Sequence, residues 1–307
     1  MMEQHKILID VFRPKRWYRN AFMLLGALMA VFLNQIPWNE AIYSIVISFT
    51  AICLVASGNY GINEACDIET DKHHPQKKFR ALPSGRVKLS VVIIASVVLY
   101  ASGLFLAWQI GNFFVLGMLG LFILTTGILY NVPPLRLKDV PYVDFILESF
   151  GNPVRLLVGW YAVASQIVPI SFILIFWCLG VVLMAGKRFA ELRFLKDQPD
   201  MVLYRKSLNY YTEEKLLLVM VAAALVLLYM FGVLSVKHEI DLVVLMPFVV
   251  FFLVWYFHLA HQPDSIAKDP ERIFENWPFV IYALSLILAF FLIFYYKFNY
   301  FSFFLNR

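Results

Sequence analysis

The sequence predicts an all-α polytopic membrane protein, a bundle of about nine transmembrane helices. Hydrophobic residues make up 61% of the 307 residues and charged residues only 15%, and the mean hydropathy is +0.71, which is far from the composition of a soluble domain. Apolar runs long enough to cross a bilayer recur along the chain. Lysine and arginine gather in alternate short connections, as they do in multi-pass proteins. The net charge of +5 therefore indicates membrane orientation, and no nucleic-acid partner is expected.

The apolar runs place the spans in order along the chain. They lie near 21–37, 41–59, 89–108, 112–131, 142–164, 168–186, 214–236, 241–259 and 278–296. The first follows a basic segment and has the outline of a cleaved signal, but a retained span fits the motifs below better. The fifth is the least typical span, because Glu148, Asn152, Pro153 and Arg155 interrupt it.

The positive charges assign the sides of the membrane. They concentrate at 13–19, 72–88, 136–138, 187–215 and 268–272, whereas the connections near 34–40, 109–112 and 164–169 have none. This bias predicts a cytoplasmic N-terminus and a C-terminus outside, as an odd number of spans requires. The chain is expected to form one integral-membrane domain, 1–307.

Two long polar connections, 60–88 and 187–213, are both predicted on the cytoplasmic side. They follow the second and the sixth spans, a spacing that suggests a weak duplication of four helices plus four with one extra. The sequence itself shows no clear repeat. Cys53, Cys66 and Cys178 are scattered and predict neither zinc binding nor a disulfide framework.

The most informative motif lies in the first of these connections. Asn63, Asp67 and Asp71 are four residues apart, so on a helix they share one face. Oxygen ligands in this arrangement suit Mg²⁺, which prefers one or two carboxylates together with substrate phosphates. They predict a metal site in a polar cavity that opens to the cytoplasmic side of the bundle. A solvated charged loop bound to anionic lipid is the alternative.

Basic residues follow this acidic motif closely. Lys77, Lys78 and Arg80 are candidates for holding further phosphate oxygens, with Arg80 able to bind two at once. In the second connection, Lys187 and Arg188 with Glu191 fall within about one helical turn at the end of the sixth span. They form either a second phosphate site or a topology signal.

Two further cations are candidates for substrate binding. Arg155 lies in apolar sequence within the fifth span, where a charge usually faces a cavity or a partner. It either binds a substrate phosphate or pairs with Glu148, about two turns earlier. Lys15 lies in a basic and aromatic segment, 12–20, that either reaches a lipid phosphate or anchors the first span.

The sequence lacks the motifs that are typical of several other enzyme classes. The sequence contains no phosphate-binding Gly-Lys-Ser/Thr loop, no glycine-rich dinucleotide turn, no Gly-x-Ser-x-Gly and no His-Glu-x-x-His. His258 and His261 are spaced to share a metal, but no third ligand is near, so an interfacial role is favoured.

Asn63-x3-Asp67-x3-Asp71, followed by Arg80-Ala-Leu-Pro-Ser-Gly85, resembles the first signature of the UbiA-type prenyltransferase superfamily. Five further segments resemble its decaprenyl-phosphate phosphoribosyltransferase branch. They are Arg13-Pro-Lys-Arg-Trp17-x-x-Asn20, His74-Pro-x-Lys77-Lys-Phe-Arg80, Leu137-Lys-Asp-Val-Pro141 with Asp144, Val154-Arg155-x-Leu157 and Gly186-Lys-Arg-x-x-Glu191-Leu192.

The resemblance implies an enzyme of a bacterial-type cytoplasmic membrane that uses Mg²⁺. It implies transfer of 5-phosphoribose from phosphoribosyl diphosphate to a polyprenyl phosphate, for lipid-linked cell-envelope sugars. In that mechanism the acid motif and the cations after it hold the diphosphate, Lys187 and Arg188 hold the 5-phosphate, and Arg155 or Lys15 orients the lipid phosphate.

The chain departs from the superfamily pattern in three places. Lys187-Arg188-x-x-Glu191 replaces the second Asp-rich motif, which favours the phosphoribosyl branch. Ala81 stands where proline is usual, and Glu148 and Asn152 replace small residues. Two alternatives stay open: an aromatic prenyltransferase with a polyprenyl diphosphate donor, and a transporter or lipid flippase. Homo-oligomerisation and the acceptor's chain length also stay open.

Overall fold

The computed structural model describes residues 8–72, 77–195, 206–262, 265–268, 272–298 and 300–301. Their regular secondary structure is helical, and no strand occurs within these ranges, so the all-α prediction is confirmed. The described chain divides into two compact units. The first contains the residues up to Ile167 and a later segment that ends at Asn209. The second runs from Val168 to Leu195 and continues from Tyr210.

The first unit contains the acidic motif. Its helices are α1 (Phe22–Asn34), α2 (Trp38–Cys66), α3 (Ile68–Lys72), α4 (Leu89–Trp108), α5 (Phe113–Phe122) and α6 (Val143–Val163). A 3₁₀ helix, Pro14–Ala21, precedes α1, and a π-helical segment, Ile123–Leu129, continues α5. Shorter 3₁₀ turns follow α3 at Lys77–Phe79 and precede α6 at Leu137–Asp139.

Close backbone contact joins α1 to α6. A Cβ at Gly26 would lie 1.9 Å from the backbone oxygen of Leu156, and one at Gly159 would lie 1.7 Å from that of Met23. Only glycine permits this distance, and small residues at such crossings are typical of helix packing in membranes. The core beside this crossing includes Ile52 and Phe122.

The second unit is built on a long pair of helices. Its elements are α7 (Ile170–Leu195), α8 (Glu213–His238), α9 (Met246–His261) and α10 (Trp277–Tyr296), with a 3₁₀ segment Ile240–Leu245 leading into α9. Helix α7 packs along α8 and also contacts α9, where the Tyr256 hydroxyl donates to the backbone oxygen of Leu183 at 2.7 Å. Phe252 of α9 stacks on Phe279 of α10.

Six apolar helices in the described ranges are long enough to cross a membrane. They are Trp38–Cys66, Leu89–Trp108, Ile170–Phe194, Glu213–His238, Ile240–His261 and Trp277–Tyr296. The other three predicted spans are also helical, but α1 has 13 residues and Phe113–Leu129 is short. Helix α6 carries Asp144, Glu148 and Arg155. Membrane crossing is thus supported for six segments, and the full count of nine stays a prediction.

Two helices extend past the predicted span ends. Helix α2 continues from the expected end near 59 to Cys66, and α7 continues from 186 to Leu195. The predicted loops 60–88 and 187–213 therefore begin as helix. An apolar run marks only the part of a helix that lies in the bilayer. Polar residues that favour helix can continue its backbone hydrogen bonds into water.

Candidate metal and phosphate site

The acidic motif follows a bent helical path. Asn63 lies in the last turn of α2, Asp67 is the C-terminal cap at φ −102° and ψ 3°, and Asp71 lies in α3. The Asp71 N–H still donates to the Asp67 backbone oxygen at 2.8 Å. The sequence predicts that the three residues share one helical face, whereas the structure ends α2 at Cys66 and places Asp67 between α2 and α3.

Asp67 is held by two cations from the segment before α6. Its Oδ1 accepts from Arg136 Nη2 and from Lys138 Nζ, each at 2.7 Å. Burial raises the pKa of the Asp67 carboxyl, but Lys138 and Arg136 outweigh it and hold that pKa below its ordinary value. Arg136 also donates Nη1 to the Cys66 backbone oxygen at 2.8 Å, which satisfies a carbonyl at the end of α2.

Asp71 has its own pair of cations. Arg80 Nη1 lies 2.6 Å from Asp71 Oδ2, and Lys77 Nζ lies 4.0 Å from Oδ1. The Asp71 carboxylate is nearly buried. Lys78 is exposed and lies over the Phe79 ring. Two of the three predicted phosphate ligands therefore meet the motif, and His74-Pro75 of the same motif lies outside the described residues.

An asparagine connects the motif to its cations. Asn63 Nδ2 donates to Asn131 Oδ1, and Lys138 Nζ donates to the same oxygen at 3.1 Å. Asn131, Arg136 and Lys138 were not predicted as site residues, although 136–138 was recognised as basic and Lys138 lies in a family-like segment. The usable signal was the placement of a polar residue and two cations directly after a span.

The basic N-terminal segment packs on α2 through its arginines. Arg13 and Arg16 lie over the Tyr60 ring, at 5.3 and 5.7 Å from its centroid, and Arg19 hydrogen-bonds Tyr60. Lys15, the predicted ligand, is exposed. The structure thus favours its arginine neighbours as the residues that face the motif helix.

Positive charge accumulates beside the acids. Arg13 Nη2 lies 3.9 Å from Glu64 Oε2. Burial lowers the pKa of Arg13 to about 10, and the nearby cations Arg80 and Arg16 contribute in the same direction. This concentration of arginine around acids that already pair with cations favours a strongly anionic ligand.

Arg155 is bound by amides. Its Nε donates to Asn20 Oδ1 at 2.9 Å and its Nη1 to Asn152 Oδ1 at 3.3 Å, while the guanidinium lies over the Phe122 ring. Glu148 instead accepts from the Tyr130 hydroxyl at 3.2 Å. No Arg155–Glu148 ion pair forms in the described part of the chain; Asn20 and Asn152 are the hydrogen-bond partners of Arg155 there.

The second predicted phosphate site lies on α7 in the second unit. Arg188 is fully buried, and its Nη1 lies 2.9 Å from Glu191 Oε2. Lys187 precedes it on the same helix. A buried arginine is stable only with such compensation, so Glu191 neutralises Arg188 in the position where a second acidic motif would lie.

The two histidines of α9 bind local groups. His261 Nδ1 lies 2.8 Å from the Phe257 backbone oxygen, and His258 Nε2 lies 3.4 Å from Gln262 Nε2. Within the ranges described, no group of three or more His, Cys, Asp or Glu side chains has metal-binding geometry. A structural metal cage is therefore not supported there.

The donors at the acidic motif fit Mg²⁺. Asp67 and Asp71 provide two hard carboxylates and Asn63 an amide oxygen, which is the small protein contribution that Mg²⁺ uses when water and phosphate complete its shell. Both carboxylates already pair with cationic side chains, so each of them lies where positive charge is stabilised.

Comparisons with known proteins show the family of this chain. The model of the UbiA prenyltransferase family matches residues 21–276. The decaprenyl-phosphate phosphoribosyltransferase of Corynebacterium glutamicum is 31% identical over 240 residues, 76% of this chain and 69% of that protein. The enzyme of the same name from Mycolicibacterium smegmatis is 27% identical over 282 residues, 87% of this chain and 85% of that protein.

A solved structure has the same fold. The UbiA homolog from Archaeoglobus fulgidus bound to DMAPP and Mg²⁺ superposes with a TM-score of 0.72, at 17% identity, over 94% of this chain and 99% of the other. At that identity the likeness concerns the fold.

Proposed function

The chain belongs to the UbiA prenyltransferase family, and on that premise we propose that it transfers 5-phosphoribose from phosphoribosyl diphosphate to a polyprenyl phosphate of the decaprenyl type. The reaction releases diphosphate and supplies a lipid-linked sugar for the cell envelope. The two relatives named decaprenyl-phosphate phosphoribosyltransferase support this choice within the family.

One observation of the structure carries the proposal: each motif acid is held by a pair of basic side chains. Lys138 and Arg136 hold Asp67, and Arg80 with Lys77 holds Asp71. Alternating carboxylates and cations suit a diphosphate that arrives with a divalent metal, because the acids bind the metal while the cations bind phosphate oxygens. A transport site for a simple cation needs no such surplus of arginine and lysine.

The residues divide the chemistry among them. Asn63, Asp67 and Asp71 would hold Mg²⁺, and the bound cation supplies charge neutralisation that makes diphosphate a better leaving group. Lys77, Lys78 and Arg80 bind the diphosphate oxygens. Lys187 and Arg188, with Glu191 orienting Arg188, bind the 5-phosphate.

The acceptor phosphate is oriented by Arg155 or by Lys15 in the N-terminal segment. One of its oxygens bonds to the anomeric carbon of the ribose as the bond from that carbon to diphosphate breaks. The acceptor is already anionic near neutral pH, so the proposal requires no general base. Positioning and electrostatic stabilisation of the leaving group provide the catalysis.

The same proposal covers location and architecture. The chain is proposed to form one domain in the cytoplasmic membrane, with nine spans around a polar cavity open to the cytoplasm. The N-terminus lies inside and the C-terminus outside, as the distribution of lysine and arginine predicts. Lipid acceptor enters from the bilayer, whereas the charged donor enters from the cytoplasm.

The test is product analysis with purified protein in detergent and Mg²⁺. Phosphoribosyl diphosphate and a mixture of polyprenyl phosphates are supplied, and mass spectrometry is expected to find a lipid heavier by one phosphoribosyl group. A matched reaction contains a prenyl diphosphate and an aromatic acceptor. Product only in the second reaction would establish the aromatic prenyltransferase instead, and transport without either product would favour a transporter or flippase.

A further inference from the structure

Asn131 joins three parts of the first unit. It lies just after the π-helical segment Ile123–Leu129, and it is almost fully buried. Its Nδ2 donates to the backbone oxygens of Thr126 and Gly127, both at 2.9 Å. Its Oδ1 accepts from Asn63 Nδ2 and from Lys138 Nζ.

These partners determine which way the Asn131 amide points. Backbone carbonyls only accept hydrogen bonds and an ammonium group only donates them. The NH₂ of Asn131 must therefore face Thr126 and Gly127, and its oxygen must face Lys138. Both conditions hold for the same orientation, so rotating this amide by half a turn would lose the hydrogen bonds to Thr126, Gly127 and Lys138.

The orientation of Asn131 then determines that of Asn63. An acceptor oxygen faces the Asn63 amide, so Asn63 must present its NH₂ to Asn131. Its own Oδ1 is directed elsewhere and receives no hydrogen bond from the described residues. An amide oxygen without a protein donor, on the same helical path as Asp67 and Asp71, has the chemistry of a ligand for a hard cation.

The π-helical segment provides the rigid support. π-helical turns are rare and frequently occur at functional sites. Here two backbone carbonyls of the segment accept from Asn131. Helix α2 therefore reaches the segment in two places: Asn63 does so through Asn131, and Asn59 Nδ2 donates directly to the Thr126 hydroxyl at 2.8 Å. The hydrogen bonds of Asn59 go to Phe122, Thr126 and Tyr100, and not to Asn63, Asp67 or Asp71 directly.

We propose that Asn131 is a positioning residue that holds the Asn63 amide with its carbonyl oxygen free for the divalent cation. The inference rests on the proposed function for the existence of the metal site. It adds a residue that contacts neither metal nor substrate and acts through Asn63. Residues that orient metal ligands typically change metal affinity by about 10- to 100-fold when removed.

The experiment is a double-mutant cycle read by binding of Mn²⁺ alone, measured by electron paramagnetic resonance on purified protein. Asn131→Ala is expected to weaken Mn²⁺ binding about 10-fold. In an Asn63→Ala background the same change is expected to have almost no further effect, because the ligand that Asn131 orients is already gone. The Mg²⁺ concentration for half-maximal turnover gives the second reading of the cycle.

Asn59→Ala is the matched control. It removes an asparagine of α2 that also binds the π-helical segment, so it reports a purely structural loss. Reduced thermal stability with unchanged Mn²⁺ affinity is expected there.

The outcomes separate a failure of the role of Asn131 from a failure of the proposed metal site. Equal Mn²⁺ affinity and equal Mg²⁺ dependence in wild type and Asn131→Ala would overturn the role of Asn131. An effect of Asn131→Ala that persists undiminished without Asn63 would overturn the path through that residue. If wild type neither binds Mn²⁺ nor depends on Mg²⁺, the metal site of the proposed function itself is wrong.

Discussion

At the scale of single residues, the acids and bases of the motif form two separate groups. Asp67 accepts from two cations that come from the segment before α6, and Asp71 forms ion pairs with Arg80 and Lys77, which follow it closely in sequence. A divalent metal that binds here must share each carboxylate with these side chains or release them. Released lysine and arginine side chains would then be free to bind diphosphate.

Asp67→Asn and Asp71→Asn are each expected to lower turnover by about 100-fold or more, since loss of one preorganised charge at the reacting centre typically costs this much. The measurement is release of diphosphate in detergent at saturating donor. Glu69→Gln is the control: Glu69 lies in α3 between the two acids, but it is exposed and pairs with Lys72 at 2.7 Å. Wild-type turnover in both aspartate variants, as expected for the Glu69→Gln control, would refute the metal site.

At the scale of helices, the crossing of α1 and α6 fixes how the first unit is packed. Gly159 and Gly26 allow two backbones to touch, and α6 thereby holds Arg155 next to Asn20, in the 3₁₀ helix that precedes α1. The composition of α6 is poor for a membrane span, but its contacts bury Phe145, Val154 and Trp160. Packing against α1 compensates for its polar residues.

Gly159→Ala is expected to destabilise the protein by about 1–3 kcal/mol or more, because the added methyl meets the Met23 backbone oxygen and not a side chain that can move. The measurement is the midpoint of thermal unfolding in detergent. Gly117→Ala, in α5, has open space around the new methyl and is expected to be neutral or slightly stabilising. Similar midpoints for both variants would contradict the close crossing.

At the scale of the whole molecule, charge and hydropathy describe how the chain lies in a membrane. Basic residues occupy alternate connections, and six described helices are long and apolar enough to cross. From this bias we predict that the connections beginning near Asp67 and near Arg188 both lie on the cytoplasmic side.

Cysteine labelling tests this orientation. With Cys53, Cys66 and Cys178 replaced by alanine, a membrane-impermeant maleimide is expected to label Gln109→Cys, but not Lys88→Cys, in intact cells. The difference follows from the basic charge of the connection that contains Lys88 and the lack of lysine and arginine in the connection near 109–112. Both positions are exposed, so lysis should make them equally reactive; the reverse pattern before lysis would invert the topology.

The sequence by itself determined the all-helical class from composition and apolar length, and its motifs, spread over most of the chain, resemble the family that the comparisons show. It also predicted a metal face from three polar oxygens four residues apart, because such spacing is local to one helix. The helices of the second and sixth spans lie where they were predicted, but they end later than the predicted spans. Hydropathy predicts the length inside the bilayer and not the residue at which the helix ends.

Only the tertiary structure decided which residues meet. Asn131, Arg136 and Lys138 reach Asn63 and Asp67 from about 70 residues away in sequence, and Arg155 reaches Asn20 across 135. No periodicity encodes such contacts, since they depend on how α2, the π-helical segment and α6 pack. The amide orientation of Asn63 follows from those same contacts, and the spacing of the motif along the chain carries no information about it.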